Sequence, residues 1–424
     1  MEIASDLRDE SMHKKTGVCT VNINRSNTAL LVSGVLLATQ AQAETSERLL
    51  LMSHEMAYSE YGSLSESLAP ISEEYKTSVQ VQVRYSYNQI GSESTTIAGM
   101  PDSDVTLGFT NRRTKLGFEA KVTDDITGKV KFAFSQSSGT AVLEDSYLKW
   151  KLSDTVTVRA GQYKIALLRE ENISSTRQLA TDRTSVNELY NQDFNQAVEL
   201  IVTEDNWRFV GSVNGGFRSR NTFYNSSREA DFAITGRGEL KFGEAGWSKY
   251  KQFTSFRGAQ TGLMLGGALH YQVMGNTNPS TTPDTSMTTG TIDASVLGDG
   301  WNLYGAGVWR TNDNGTSSLT DGGYILQGGA FVSDQNELFA RWDIITPSDE
   351  NPVIAGTSGT NEFNVFTFGW NHYMIPESHA AKFTLEAQVY PDATTDSIVS
   401  IRGNIQPDST GDQFAITAQF QILF

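Results

Sequence analysis

The chain has 424 residues, a formal net charge of -16 at pH 7 and one cysteine. Its mean hydropathy is -0.34, and after residue 43 no apolar run is long enough for a membrane helix. A helical membrane protein is thereby excluded, but a strand-built one is not, because barrel strands turn only every second residue toward lipid. At the N-terminus, His13, Lys14, Lys15 and Arg25 precede the apolar stretch Thr28 to Ala38 and then Ala41-Gln42-Ala43. This is the pattern of a secretory signal peptide over residues 1–43, cleaved after Ala43, with Met12 as a second candidate start behind the acidic lead-in. Cys19 lies inside that signal, so the mature chain is expected to be free of thiols, disulfides and cysteine ligands.

Residues 44–78 show no alternation and are expected to form a periplasmic N-terminal extension, with apolar residues enough for a short helix. Alternation begins at Val79, where Val79, Val81, Val83, Tyr85 and Tyr87 face away from Gln80, Gln82, Arg84, Ser86 and Asn88. From here to residue 424 the sequence predicts about sixteen strands of roughly ten residues, the length a tilted strand needs to cross hydrocarbon. They start near Val79, Arg112, Lys129, Val142, Val156, Ala197, Trp207, Asp231, Thr261, Gly290, Trp301, Gly323, Asn336, Glu362, Ala380 and Asp412. Thirty-seven glycines against nine prolines, with abundant Ser, Thr and Asn, agree with strands and turns.

The connections alternate in length. Short turns are expected at 123–128, 153–155, 204–206, 298–300, 334–335 and 375–379. Long loops are expected at 91–111, 165–196, 215–230, 275–289, 312–322, 347–361 and 391–411. Short periplasmic turns and long external loops mark an outer-membrane barrel. Residues 136–141 are too short for their place in the alternation, and 243–260 too long. Trp150, Trp207, Trp301 and Trp370 sit beside short turns, as an interfacial aromatic girdle requires. The last eleven residues, FAITAQFQILF, put Phe414, Ile416, Ala418, Phe420, Ile422 and Phe424 on one face. A terminal strand ending in Phe resembles the signal read by bacterial barrel-assembly machinery, which marks Phe424 as an assembly residue.

No catalytic constellation stands out. His54-Glu55 begins like a zinc-protease motif but has Tyr58 where the second His must be. Asn312-Asp313-Asn314-Gly315 lacks the distal Glu of a calcium loop. No enzyme activity, cofactor, metal or nucleic-acid partner is expected. What remains is charge on the face opposite the apolar one: Arg84, Arg113, Lys115, Lys121, Lys131, Lys149, Lys151, Arg159, Arg208, Arg237 and Lys241, against Glu119, Asp145, Glu199 and Glu239. Turned to lipid at mid-membrane, each Lys or Arg would cost roughly 2–4 kcal/mol, so this face is expected to line the lumen. Such a wall favours anions, unless loop carboxylates pair it off and leave little selectivity.

After the fifth strand, Gly161-Gln162-Tyr163-Lys164 leads through Glu170-Glu171 to Ser174-Ser175, and Asp182-Arg183 follows within residues 177–198. These stretches are similar to those of the phosphate-selective porin O and P family, with Ala166 where the family usually has proline. The likeness extends more loosely over 79–424 and includes Tyr250-Lys251-Gln252-Phe253-Thr254. The resemblance implies a sixteen-stranded trimeric porin in the outer membrane of a Gram-negative bacterium. It implies a third external loop, 165–196, folded into the lumen to set the constriction. That assigns Lys164, Arg169, Glu170, Glu171, Arg177, Asp182 and Arg183 to the constriction, where three bases of the loop meet five acids when Glu188 and Asp193 are counted. The expected partners are outer-membrane lipid, assembly machinery, two further copies of the chain and small hydrophilic or anionic solutes. A sugar- or nutrient-specific porin is the nearest alternative, and an exported β-sandwich that binds surfaces or polysaccharide is the alternative from another class.

Overall fold

The computed structural model describes residues 75–89, 105–223, 230–274, 285–348, 362–392 and 413–424. The signal, most of the N-terminal extension and the expected loops at 347–361 and 391–411 lie largely or wholly outside the described residues. Sixteen strands are present among the described residues: β1 (Tyr75–Gln89), β2 (Val105–Lys121), β3 (Ile126–Phe134), β4 (Ala141–Lys151), β5 (Val156–Lys164), β6 (Phe194–Thr203), β7 (Trp207–Asn214) and β8 (Ala230–Gly243) in the first half. The second half holds β9 (Gly262–Met274), β10 (Ser286–Gly298), β11 (Trp301–Asp313), β12 (Ser318–Ser333), β13 (Asn336–Thr346), β14 (Phe363–Tyr373), β15 (Ala381–Tyr390) and β16 (Gln413–Leu423). Each strand pairs antiparallel with its chain neighbours, and β1 closes on β16 from Gln80 opposite Leu423 to Gln89 opposite Phe414. A closed ladder leaves no open edge and rules out the sandwich.

The period of two decides which way each strand faces. Leu107, Phe109, Leu269 and Ile292 are more than half exposed, whereas Gln82, His270, Thr367 and Gln421 are buried. An apolar exterior around a polar interior is the inverse of a soluble protein and fits a wall set in lipid. Trp150, Trp207 and Trp301 stand on the outer face at the short-turn ends of their strands, with Trp370 near the same end of β14. The closure seam is completed by Phe424, whose N–H donates to the Val79 carbonyl (3.0 Å) while its own carbonyl accepts from the Val79 N–H (2.6 Å).

Several boundaries differ from expectation. β1 starts at Tyr75, so residues 75–78 belong to the wall and not to the extension. β2 starts at Val105 and not near Arg112, because Val105 to Asn111 pair with β1 and extend the alternation. The loop expected at 312–322 is a tight turn, since β11 and β12 continue to Asp313 and Ser318 and Asn314 N–H closes onto Ser317 O (3.1 Å). The inward loop spans 165–193, because β6 begins at Phe194 and Lys164 is the last residue of β5. The two anomalous connections are as read: a tight turn joins β3 to β4, and 244–261 is long, with a 3-10 turn at Lys249–Lys251.

Two β-bulges redirect charge. Gln82 lies opposite Arg113 but Val83 opposite Asn111, so Arg112 is the extra residue. Lys131 lies opposite Asp145 but Phe132 opposite Leu143, so Glu144 is extra in β4. A bulge breaks the alternation locally, letting two successive side chains serve one face. Here Arg112 and Arg113, and likewise Glu144 and Asp145, all turn inward.

Candidate functional site

The segment 165–193 is too apolar to float in water. Leu167, Leu168, Ile173, Leu179, Val186 and Tyr190 are all under 5% exposed, and they pack on inward-facing Tyr304, Val308, Ile325, Phe339, Ile345, Phe363 and Val365. The hydrophobic core of this protein therefore lies inside the barrel, between loop and wall. Two short helices shape the loop, α1 (Arg169–Asn172) and α2 (Ser185–Tyr190), the second capped by the Thr184 hydroxyl accepting from Asn187 N–H at 3.0 Å. Buried loop backbone needs partners, and the wall supplies them. Arg237, Lys382, Arg341 and Arg310 donate to the carbonyls of Leu167 (3.1 Å), Gln178 (2.8 Å), Asp182 (2.8 Å) and Tyr190 (2.9 Å). Glu386 accepts from Thr181 N–H (2.8 Å) and hydroxyl (2.6 Å), and Asp343 from Ser185 N–H (2.8 Å).

Asp182 is the electrostatic centre of the seam. Its carboxylate meets Arg84 (2.5 Å), Arg112 (2.8 Å) and Arg113 (2.7 Å), and all four side chains are nearly buried. Burial alone would raise the Asp182 pKa, but Arg112, Arg84 and Arg113 together hold it well below the usual range. Glu171 follows the same logic: burial pushes it up, while Arg183 and Lys164 bring it down to about 2. Lys164 reaches it directly, and Arg183 Nε lies at 3.3 Å. Glu170, beside it, is pushed up to about 7 by burial, which outweighs the N–H (2.9 Å) and hydroxyl (2.6 Å) of Thr184 that donate to it.

The loop fills only part of the lumen. Inward residues of β1 and β9–β16 are mostly buried beneath it, whereas those of β3–β5 are mostly half-exposed. On this open side bases and acids pair: Lys129 with Asp145 (3.3 Å), Lys131 with Glu144 (3.5 Å), Lys115 with Glu144 (2.5 Å), Arg159 with Glu199 (2.7 Å), and Arg208 with Glu239. The pairs are lopsided toward water. Side chains of Glu144, Asp145, Glu199 and Glu239 are 1–12% exposed, those of Lys129, Lys131, Arg159 and Arg208 are 21–29%. Long, amphipathic stems leave these basic side chains more open to water than the short acids they pair with. Arg159 also lies 3.8 Å from the Tyr163 ring centroid and 5.3 Å from that of Tyr147. Gly161 lets the β4 backbone come close: at φ +129° a Cβ there would lie 2.2 Å from the Ser146 carbonyl oxygen.

At the short-turn end Lys149 and Lys151 are exposed; Lys151 pairs with Asp154 (2.7 Å), and Lys149 has no ion pair among the described residues. Lys241 sits 5.7 Å from the Trp247 ring, and Lys121 ends β2 on the same side. Lys251 lies close enough to Lys149, Arg208 and Arg177 that its pKa is lowered, first by burial and then by their repulsion. Every basic residue expected on the inner wall is inward or at that rim, but Arg84, Arg113 and Arg237 are buried anchors with little open water around them. Of the expected constriction residues, Arg84's partner Asp182, with Glu170, Glu171, Arg183 and Arg169, is packed into the seam; Arg177 alone is exposed. Arg112 and Glu144 escaped the sequence reading because only their bulges turn them inward. Lys129 carried a usable signal, since Thr127 and Lys131 share its phase, whereas Arg310 and Arg341 lie in phase with apolar Val308 and Phe339 as well as with polar residues. No group of His, Cys, Asp or Glu among the described residues has the geometry to hold a metal ion.

Comparison with known proteins agrees with this architecture. The family model described as phosphate-selective porin O and P matches residues 79–310, more than half of the chain. No curated protein matches by sequence. Among solved structures, an anion-selective porin from Comamonas acidovorans aligns with TM-score 0.59 at 11% identity, covering 83% of this chain and 99% of that one. OprB of Pseudomonas putida aligns with TM-score 0.55 at 11% identity, covering 82% and 94%. OmpT of Vibrio cholerae in a trimer form aligns with TM-score 0.52 at 12% identity, covering 82% and 99%. At such identities these likenesses speak for the fold alone.

Proposed function

The chain belongs to the phosphate-selective porin O and P family and forms a channel in the outer membrane of a Gram-negative bacterium; we propose that it passes small hydrophilic anions along the wall from β2 to β7. The observation that carries this reading is the lopsided pairing on the open side, where the side chains of Lys129, Lys131, Arg159 and Arg208 are more exposed than those of the acids they meet. An overall charge of -16 does not oppose it, because a permeating ion responds to the charges nearest its path. Diffusion down a gradient needs neither catalysis nor a cofactor, and the site holds side chains suited to attraction and not to bond making. Lys115 and Lys131 share Glu144, Arg208 and Arg237 share Glu239, and Lys129 and Arg159 have one acid each, so the bias toward anions is graded and not absolute. With most bases also compensated, the path is better suited to anions in general than to phosphate alone.

Replacing both Lys149 and Lys151 with Glu adds acids at a rim that repels cations in the parent. The expected result is a reversal potential in a KCl gradient that moves toward cation preference. Potentials that do not change would remove the basic path from consideration. We also read the chain as a homotrimer, on the strength of the family and the trimer form of OmpT. Phe424 is read as a residue that assembly machinery handles, since it is 73% exposed on the lipid side while its backbone completes the seam. Removing it should lower the amount of heat-modifiable barrel recovered from outer membranes; parental recovery would argue that assembly ignores it.

A further inference from the structure

The β8–β9 connection is far longer than the other short-turn-end connections among the described residues, and it does not hang free. Tyr250, Phe253, Thr254, Ser255 and Phe256 are buried. The segment crosses the barrel mouth toward strands on the far side. Ser255 Oγ donates to the Gly298 carbonyl (2.6 Å) at the end of β10, and Arg257 Nη2 to that of Phe331 (3.0 Å) near the end of β12. Farther round, the Phe256 ring lies 5.1 Å from Tyr373 and 5.4 Å from His379, and Thr254 Oγ1 is 2.9 Å from the Tyr373 hydroxyl, which donates to Glu337 (2.6 Å). At its middle it meets the inward loop: Phe253 N–H donates to the Arg177 carbonyl (3.2 Å), and the Phe253 side chain joins the same core as Leu167, Leu179 and Tyr304.

We propose that residues 244–261 form a periplasmic strap that supports the inward loop from below and acts as a second determinant of solute size. Two inserted segments enter from opposite mouths and interlock where Arg177 meets Phe253. The loop is thus held at a fixed height over β9–β16, and solutes are confined to the β2–β7 side along the whole depth of the barrel. Phe253 and Phe256 are the positioning residues. Neither touches the open path; each acts through what it holds. A loop held at one end only would fluctuate into the path, so the strap is expected to keep the open-channel current quiet.

This inference rests on the channel reading, and the experiment separates the two. Single-channel recording and liposome swelling with neutral sugars of graded size would compare the parent with Phe253→Ala/Phe256→Ala. Expected are a heat-modifiable barrel, severalfold greater open-channel current noise and entry of larger sugars. A folded variant with parental noise and size limit overturns the strap; a parent without channels overturns both readings. As a variant that does not depend on the core, Arg177→Cys/Lys251→Cys introduces two thiols, where the mature chain is expected to have none. A short bifunctional thiosulfonate should link them in the folded barrel without lowering conductance. Failure to link, or a link that blocks current, would equally overturn the proposal.

Discussion

Replacing Asp182 with alanine is expected to destabilise the docked loop by about 3–5 kcal/mol, the usual cost of removing one partner from a buried ion pair. Three guanidiniums, Arg84, Arg112 and Arg113, would then repel one another with only Gln82, Gln419 and the Thr181 carbonyl as partners. Because the strands close their own ladder, the barrel is expected to remain while the loop comes loose. Protease cleavage within 165–193 and a noisier current would report this; a variant as protected and quiet as the parent would contradict it. Acid should imitate the substitution. Asp182 and Glu171 bind protons more weakly in the docked loop than in the free one, so their stabilisation is complete above pH 4.5 and is lost as pH falls toward 2. Glu170 acts in the opposite sense: its pKa is raised, so what it contributes is complete below pH 4.5 and is lost as pH rises through about 7. Glu188 in the same loop is raised as well, first by burial and then by Glu171. Docking should therefore be tightest near pH 4.5 and loosen on both sides of it, toward acid as Asp182 and Glu171 take up protons and toward neutral as Glu170 and Glu188 lose theirs.

Shortening 173–187 should have the larger effect on flow. It removes Leu179, Val186 and Asp182 together, and with them the core and the charge that bind the loop to the wall. Buried Gln, Thr and Asn on β12–β16 would then face water, which they tolerate, so the cross-section widens without a matching penalty to the wall. The expected result is a severalfold rise in single-channel conductance with weaker discrimination between anions and cations. A conductance equal to the parent's would move the narrowest point to the strap. The two predictions differ in kind: loss of Asp182 frees an intact loop to fluctuate, whereas shortening deletes the obstacle.

The strands were legible because lipid imposes a simple rule. Every wall residue faces either hydrocarbon or the interior, so apolar and polar types alternate wherever pairing is regular, as in Val79 to Asn88 or Phe414 to Phe424. The same rule located the inward charges, and the one unusually long turn among the described residues was visible as a break in the alternation of loop lengths. Bulges defeat it, since one inserted residue changes the phase without any mark in the sequence. Arg112 and Glu144 were missed for that reason. Counting three bases against five acids within the loop could not show what its carboxylates meet, because their partners come also from β1, β2, β5 and β13.

By itself, the sequence determined a closed, lipid-facing barrel of sixteen strands, its membrane, and a lumen wall rich in bases. Periodicity is local, and local patterns suffice where each residue answers to lipid or water and little else. Only the tertiary structure decided which of those bases meet water, because exposure inside a barrel depends on what else has been folded into it. The inward loop and the strap cover one side of the lumen with buried carbons and satisfied backbone groups. Lys129, Lys131, Arg159 and Arg208 remain on the other side, their side chains more exposed than those of the acids they pair with.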